Sequence, residues 1–377
     1  MTDVNRHPPS PDREYPASPL DPGRRTGLIL CGMGGPDGPG AVAPFLRNLF
    51  ADPAIFPVPG PLGRLLGWWI ATVRAPRVRR RYLAVSPDGA TPQLPATRTQ
   101  AETLAAYLDE RGLACTAGVA MRYWAPWPET TVDELLAAGC EQFLVVPMYP
   151  QFSDATGGST LDFVLAAVRR RAPDAAVHVL AQWPELPAFA ADLARSAADR
   201  LTAWADEDER TGARGGEPTD TRLVYAAHSL PARLIAAGDP YLDQVRRTVD
   251  LVHAHLADLL ARDGRPDPRA WCDAEPPRLA FQSRVGPIRW LEPDLTAAVA
   301  DLARQGCRRL LVVPVSFTCE HIETLLELDV ELRDHARARG IATFARVPVP
   351  APRGAWLAGL GDVLLQRTLT VEADAHG

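Results

Sequence analysis

The chain lacks most features that announce a function outright. Six of its 377 residues are cysteine. Cys31, Cys115, Cys140, Cys272, Cys307 and Cys319 lie far apart without a CxxC pair, which argues against a disulfide framework or a clustered zinc site and for a reducing cytoplasm. No apolar run reaches the roughly 18–20 residues that would span a bilayer. Residues 1–25 are rich in Pro, Asp, Arg and Ser and have no apolar core, so they are no secretory signal and read as a disordered tail. A net charge of −6 gives no global case for nucleic acid. A Walker motif and HExxH are absent. Gly32-Met-Gly-Gly-Pro-Asp37 follows an apolar run as a dinucleotide loop would, but Asp37 replaces the last glycine of GxGxxG and Pro36 removes an amide.

What is present is a repeat. Apolar runs at residues 28–33, 116–122, 142–149 and 176–182 read as strands, and a second series follows at 222–228, 279–284, 308–317 and 342–349. Continuous rather than alternating hydrophobicity predicts strands covered on both faces, hence parallel sheets. Glu134-Leu-Leu-Ala-Ala-Gly-Cys-Glu-Gln-Phe-Leu-Val-Val-Pro-Met148 parallels Asp301-Leu-Ala-Arg-Gln-Gly-Cys-Arg-Arg-Leu-Leu-Val-Val-Pro-Val315. Each reads as helix, glycine cap, strand and proline. The fold class expected is therefore α/β, two similar Rossmann-like halves, each a parallel sheet flanked by helices, with a cleft between them. The halves are residues 26–185 and 186–350, with a C-terminal helix and tail at 351–377. The charged, Gly-rich stretch 203–221 reads as a surface loop.

Residues 55–82 differ from the rest. Three prolines precede Leu65-Leu-Gly-Trp-Trp-Ile70, then Arg74, Arg77, Arg79, Arg80 and Arg81 follow. This composition suits a membrane-surface element or a pocket for an anionic, greasy ligand, and equally an amphipathic helix whose Trp pair packs on the core.

Two further signals carry chemistry. Glu320, Glu323, Glu327 and Glu331 recur at helical spacing just after the run 310–317, within roughly an 80° wedge at about 100° per residue. Carboxylates at the carboxyl end of a parallel strand suit a divalent cation, while an ordinary amphipathic helix would also put them in water. His228 ends the run Leu223-Val-Tyr-Ala-Ala-His228, where an imidazole can accept a proton or ligate metal, or simply hold a turn.

At this point the chain resembles the ferrochelatase family. Gly34-Gly-Pro-Asp37, Pro44-Phe-Leu-Arg-Asn-Leu-Phe50, Met121-Arg-Tyr-Trp124 and Tyr149-Pro-Gln-Phe-Ser153 with Thr156-Gly-Gly-Ser159 match its signatures. So do Ala227-His-Ser-Leu-Pro231, Gly238-Asp-Pro-Tyr241, Phe281-Gln-Ser-Arg-Val-Gly-Pro287, Trp290-Leu291 and His321-Ile-Glu-Thr-Leu325, in family order. The resemblance implies insertion of Fe²⁺ into protoporphyrin IX to form protohaem, the last step of haem biosynthesis. It implies His228 and Glu323 as catalytic and metal-binding residues, with Glu320, Glu327 and Glu331 as an acidic path. Met33, Arg122, Tyr123, Thr91, Ser229 and Trp290 become porphyrin contacts, and residues 55–82 the apolar lip of the cleft. Porphyrin and ferrous iron are then the partners, iron being substrate, with no tightly bound cofactor. Residues 351–377 contain no cysteine, so no iron–sulfur cluster is expected there. The expected location is cytoplasmic, with peripheral contact at the inner face of the membrane through residues 55–82 as an option. Oligomeric state is left open. Coproporphyrin III or another tetrapyrrole remains an alternative substrate, and a non-catalytic porphyrin- or haem-binding protein is the alternative of another class. The segment Ser86-Pro-Asp-Gly-Ala-Thr-Pro92 departs from the family pattern, being about two residues longer with Thr91 in place of Ser.

Overall fold

A computed structural model describes residues 14–53, 55–56, 58, 60–211, 220–264, 277–284, 286 and 288–369. All eight predicted strands form, each within a residue or a few of its expected limits. They are β1 (Thr26–Gly32), β2 (Cys115–Met121), β3 (Gln142–Pro147), β4 (Val177–Val179), β5 (Thr221–His228), β6 (Leu279–Gln282), β7 (Arg309–Pro314) and β8 (Thr343–Arg346). They make two four-stranded sheets, ordered β2-β1-β3-β4 and β6-β5-β7-β8, with every pairing parallel. The same order in both halves is the structural form of the sequence repeat.

Strand side chains sort by pleat. Leu28 and Leu30 of β1, Leu223 and Tyr225 of β5, and Leu311 and Val313 of β7 all enter one central cluster. Their neighbours Ile29 and Cys31, and Val224 and Val312, enter two separate outer clusters. The near-continuous apolar runs thus reflect burial on both faces of each sheet. The central layer also holds helices α3 (Gln93–Asp109), α6 (Pro187–Thr211), α8 (Tyr241–Arg262) and, at the C-terminal end, a helix at Trp356–Leu369.

The repeated units fold alike. One runs from α4 (Pro128–Ala137) into β3, the other from a helix at Leu295–Arg304 into β7. Gly139 (φ 83°) and Gly306 (φ 91°) take the left-handed conformation that lets a helix end. The next amides, of Cys140 and Cys307, donate back to Leu135 and Leu302 at 3.0 Å. These cysteines are buried in the cap rather than paired, and the described cysteines are all free thiols; Cys272 lies outside the described residues.

Two expectations need correcting. The tail was expected over residues 1–25, but residues 14–25 dock against the first sheet. Val179 N donates to Pro16 O at 2.8 Å, Ser18 N donates to Val177 O at 3.1 Å, and the buried Gln142 amide donates to Asp21 O at 2.8 Å. Backbone pairing with β4 and the apolar anchor Leu20 outweigh polar composition here; residues 1–13 lie outside the described residues. Residues 203–211 are not loop but the last turns of α6, because Leu201 and Trp204 still face the core. The remainder of that stretch up to residue 219 lies outside the described residues.

The halves are joined by buried polar bonds at the facing carboxyl edges. Asp239 accepts from Ser153 Oγ at 2.7 Å, Asp154 N at 3.0 Å and Tyr241 N at 3.0 Å. Gln151 Nε2 donates to Thr248 Oγ1 at 2.9 Å and to Val315 O at 3.0 Å, and Gln100 Nε2 to Thr318 O at 2.6 Å. Asp239→Ala would strand one hydroxyl and two amides in the interior. We expect it to cost about 2–4 kcal/mol in urea unfolding. An unshifted midpoint would mean that those donors find other acceptors and that the join lies elsewhere.

Candidate active site

The second sheet sets the site. In the order β6-β5-β7-β8 the central pair is β5 and β7, and connections leave them toward opposite edges, which opens a crevice at their carboxyl ends. His228 is the last residue of β5 and is half-buried there. Its backbone N–H donates to Ser316 Oγ at 3.0 Å, just beyond β7, and its carbonyl accepts from Tyr241 Oη at 2.8 Å. The imidazole Nδ1 lies 2.7 Å from the Ser229 carbonyl oxygen. A carbonyl can only accept, so Nδ1 carries the proton and Nε2 presents a lone pair. That is the tautomer a proton acceptor requires. Beside it, Ser229 is fully buried and its Oγ has no hydrogen-bond partner among the described residues.

The acidic row stands on the neighbouring element. Glu323–Leu332 is a π-helix, wider than the α-helix expected from spacing, and Glu323, Glu327 and Glu331 still share a face. The face is not simply solvated: Glu323 and Glu327 are half-buried and Glu331 alone is exposed. Glu320 precedes the helix, where its carboxylate accepts from Thr324 Oγ1 and pairs with Arg346 at 3.0 Å. Arg346 also grips Asp329 at 2.7 Å. Glu327 and Glu331 both pair with Arg81, at 3.3 and 3.1 Å. Among the described residues no ion pair reaches the Glu323 carboxylate, which leaves it open to a cation.

Gln282 links the end of β5 to the start of the π-helix. It is the register partner of His228 across β5 and β6, and its Nε2 donates to the Glu323 carbonyl at 3.0 Å. The next residue, Ser283, has φ 68°, a left-handed backbone that is strained for serine and turns its Oγ onto Glu327. The segment after it returns to pair with the residues beyond His228, where Pro231 bridges Trp290 and Leu291 N donates to Leu230 O at 3.0 Å.

The first half supplies a second group. Met33 follows β1, and its carbonyl accepts from Tyr123 N at 2.9 Å. Arg122 pairs with the buried Asp52 at 2.8 Å, and Tyr123 Oη donates to the same carboxylate at 2.7 Å. Burial first, then the Asp52 charge, pushes the Tyr123 phenol far above its usual range, so it remains a neutral donor. Tyr123 is thus committed to Asp52, and Arg122 spreads its guanidinium over Phe163, 4.7 Å from the ring centre. Thr91 packs against the loop after β1: its N–H donates to Pro36 O at 2.9 Å, and a Cβ on Gly35 would come within 2.5 Å of its Cγ2. The lengthened 86–92 segment is therefore a brace for that glycine loop.

The lip joins the two groups. Helix α1 (Val42–Ala51) and helix α2 (Gly60–Val85) form a small apolar cluster with Met33, Tyr123 and Ile322, the residue just before Glu323. The opposite face of α2 is bare: Leu62, Leu65, Trp68, Trp69 and Val73 are 49–71% exposed. The Trp pair is therefore not ordinary core. The chain contains no lysine, so every basic side chain on this helix is a guanidinium. Among the described residues no helix is long and apolar enough to cross a membrane. Asp52, Tyr82 and Arg346 were not singled out from sequence, whereas Gln282 stands out there as a polar residue ending an apolar run.

Two α/β halves, with an imidazole at the end of β5 and, on the helix after the adjacent β7, a carboxylate free of ion pairs among the described residues, define the class of protein to be compared. The ferrochelatase family model matches residues 25–368, nearly the whole described chain. A ferrochelatase of Synechococcus sp. (strain JA-3-3Ab) is 35% identical over 357 residues, covering 92% of this chain and 94% of the relative. One from Gloeobacter violaceus is 37% identical over 324 residues, covering 85% and 90%. SirB from Bacillus subtilis, solved with Fe³⁺, aligns over 92% of this chain and 96% of its own at 10% identity and TM-score 0.46, too low for any inference. The chain belongs to the ferrochelatase family. It is thereby a tetrapyrrole metal chelatase, with porphyrin and metal as substrates.

A second histidine, His321, lies near His228. His321 is pushed down to about 4, first by burial and then by nearby His228, against the pull of Glu320. Its folded value lies below the unfolded one, so the neutral ring is stable above about 6.5 and stability falls as pH drops from there toward 4. NMR titration should show the His321 ring neutral at pH 6; a midpoint above 6 would contradict its burial among these groups.

Proposed function

We propose that the protein inserts Fe²⁺ into protoporphyrin IX to form protohaem, the last step of haem synthesis. The observation that supports this reading is Gln282, which neighbours His228 across β5 and β6 and whose side chain donates to the Glu323 backbone carbonyl. A free-base porphyrin must lose two pyrrole protons as the cation sheds its water. The His228 Nε2 lone pair accepts a proton, and the unpaired Glu323 carboxylate receives the cation. Glu320, Glu327 and Glu331 form the path behind it. Met33, Arg122, Thr91, Ser229 and Trp290 line the macrocycle, with Tyr123 acting through Asp52. The orphaned Ser229 Oγ is a donor that a bound ligand satisfies. Catalysis on this reading needs no tightly bound cofactor and no iron–sulfur cluster. The protein works in the cytoplasm with the bare face of α2 against the inner surface of the membrane.

His228→Ala should lower kcat by on the order of 10²-fold or more with little change in porphyrin affinity. Glu323→Gln keeps volume and removes charge, so insertion should collapse while melting temperature holds. Near-normal turnover in either folded variant removes that residue from the mechanism. Parallel assays with protoporphyrin and coproporphyrin test the substrate: a kcat/KM favouring coproporphyrin corrects it, and no insertion into either points to a binding protein.

The lip makes a separate prediction. Trp68→Ser with Trp69→Ser should weaken binding to anionic vesicles and leave thermal stability nearly unchanged, since both rings are half exposed. A large fall in melting temperature with intact vesicle binding would refute this role.

A further inference from the structure

Arg81 is an unusual element of the lip. It sits on the C-terminal part of α2, in the first half, and its guanidinium spans Glu327 and Glu331 of the π-helix in the second half, 246 and 250 residues away. Among the described residues no ion pair holds Arg77, Arg79 or Arg80, so only one arginine of this cluster crosses the cleft. Its Nε is buried and unpartnered, which is a cost of holding the side chain in place. The next residue, Tyr82, is buried against the same small cluster as Ile322, and the Glu323 charge reaches its phenol, helping burial raise it. The halves are joined elsewhere by the Asp239 and Gln151 bonds, so the Arg81 bridge is a separate contact between α2 and the π-helix.

We propose that Arg81 is a positioning residue for the insertion site: by bridging Glu327 and Glu331 it latches the lip to the acidic helix and sets Tyr82 beside Glu323. The latch is ionic and partly exposed, so it opens readily and is screened by salt. It also engages two carboxylates of the outer row, the half-buried Glu327 and the exposed Glu331. Release of a flat ligand then requires that the Arg81 bridge break first. This rests on the porphyrin reading only for the identity of the ligand, not for the latch.

The test is hydrogen exchange of the full chain with and without Arg81→Gln, together with stopped-flow release of bound protoporphyrin. Two weak ion pairs on one guanidinium predict about fivefold faster exchange confined to residues 60–85, with the strands unchanged. Glu327→Gln combined with Glu331→Gln should give the same rise, and adding Arg81→Gln to that pair should add nothing. Arg81→Lys, which keeps the charge, should stay close to the parent. Raising salt should speed exchange of α2 in the parent and not in Arg81→Gln. Protoporphyrin release should quicken by about the same factor as α2 exchange. Unchanged exchange in α2, or a rise spread through both sheets, overturns the latch. Faster α2 exchange with no change in porphyrin release overturns the control of release by the latch, whereas a parent that binds no protoporphyrin at all counts instead against the porphyrin reading of the cleft.

Discussion

The site rests on the join between two parallel sheets, and the buried Asp239 carboxylate is one of the polar groups that make it. Its three donors come from two segments: Ser153 and Asp154 after β3 in one half, Tyr241 at the start of α8 in the other. A buried carboxylate with several donors is costly to disturb and directional, unlike the apolar layer beside it. The apolar layer supplies most of the cohesion, since one cluster runs through the inner faces of both sheets. It does not fix register between the halves; the polar bonds do. Tyr241 then transmits that register to the chemistry, because its hydroxyl holds the His228 carbonyl.

The electrostatics of the cleft follow a simple division. Glu320 and Asp329 share Arg346, and Glu327 and Glu331 share Arg81. Each arginine neutralises part of a row that would otherwise repel itself and destabilise the π-helix. The first carboxylate of that helix is left out of both pairings. Glu323 is accordingly the one carboxylate of that helix's acidic face that no guanidinium holds among the described residues. Burial holds the His321 imidazole two residues before it neutral, so that ring adds no positive charge there.

Much of this was legible in the chain because it depends on local pattern. Continuous apolar runs gave all eight strands, and the helix–glycine–strand repeat gave two halves with the same strand order. The positions of His228 at a strand end and of Glu323 on an acidic helix face were legible, both as local pattern and as members of ordered motifs. What escaped is long-range. Asp52 reads as an ordinary loop acid until folding places it 2.8 Å from Arg122. The tail 14–25 reads as solvent-exposed by composition, yet backbone pairing with β4 needs no particular side chains. The acidic helix was expected as α, and spacing by four fits both helix types, so nothing in the sequence separates them.

The wider turn has a consequence for how the row works. In a π-helix each N–H reaches one residue further back, which widens the backbone and weakens its hydrogen bonds relative to an α-helix. Such a segment holds side chains on one face while remaining easier to rewind. Here it is clamped at both ends of its acidic face, by Gln282 and Ser283 at the Glu323–Glu327 end and by Arg81 at the Glu327–Glu331 end. The clamps come from β6 and from the lip, so a ligand that presses on either will be felt along the whole row. The Glu327 carboxylate is thus positioned by contacts on two other elements rather than by its own helix, while Glu331 is tied to the lip alone and stays exposed to solvent.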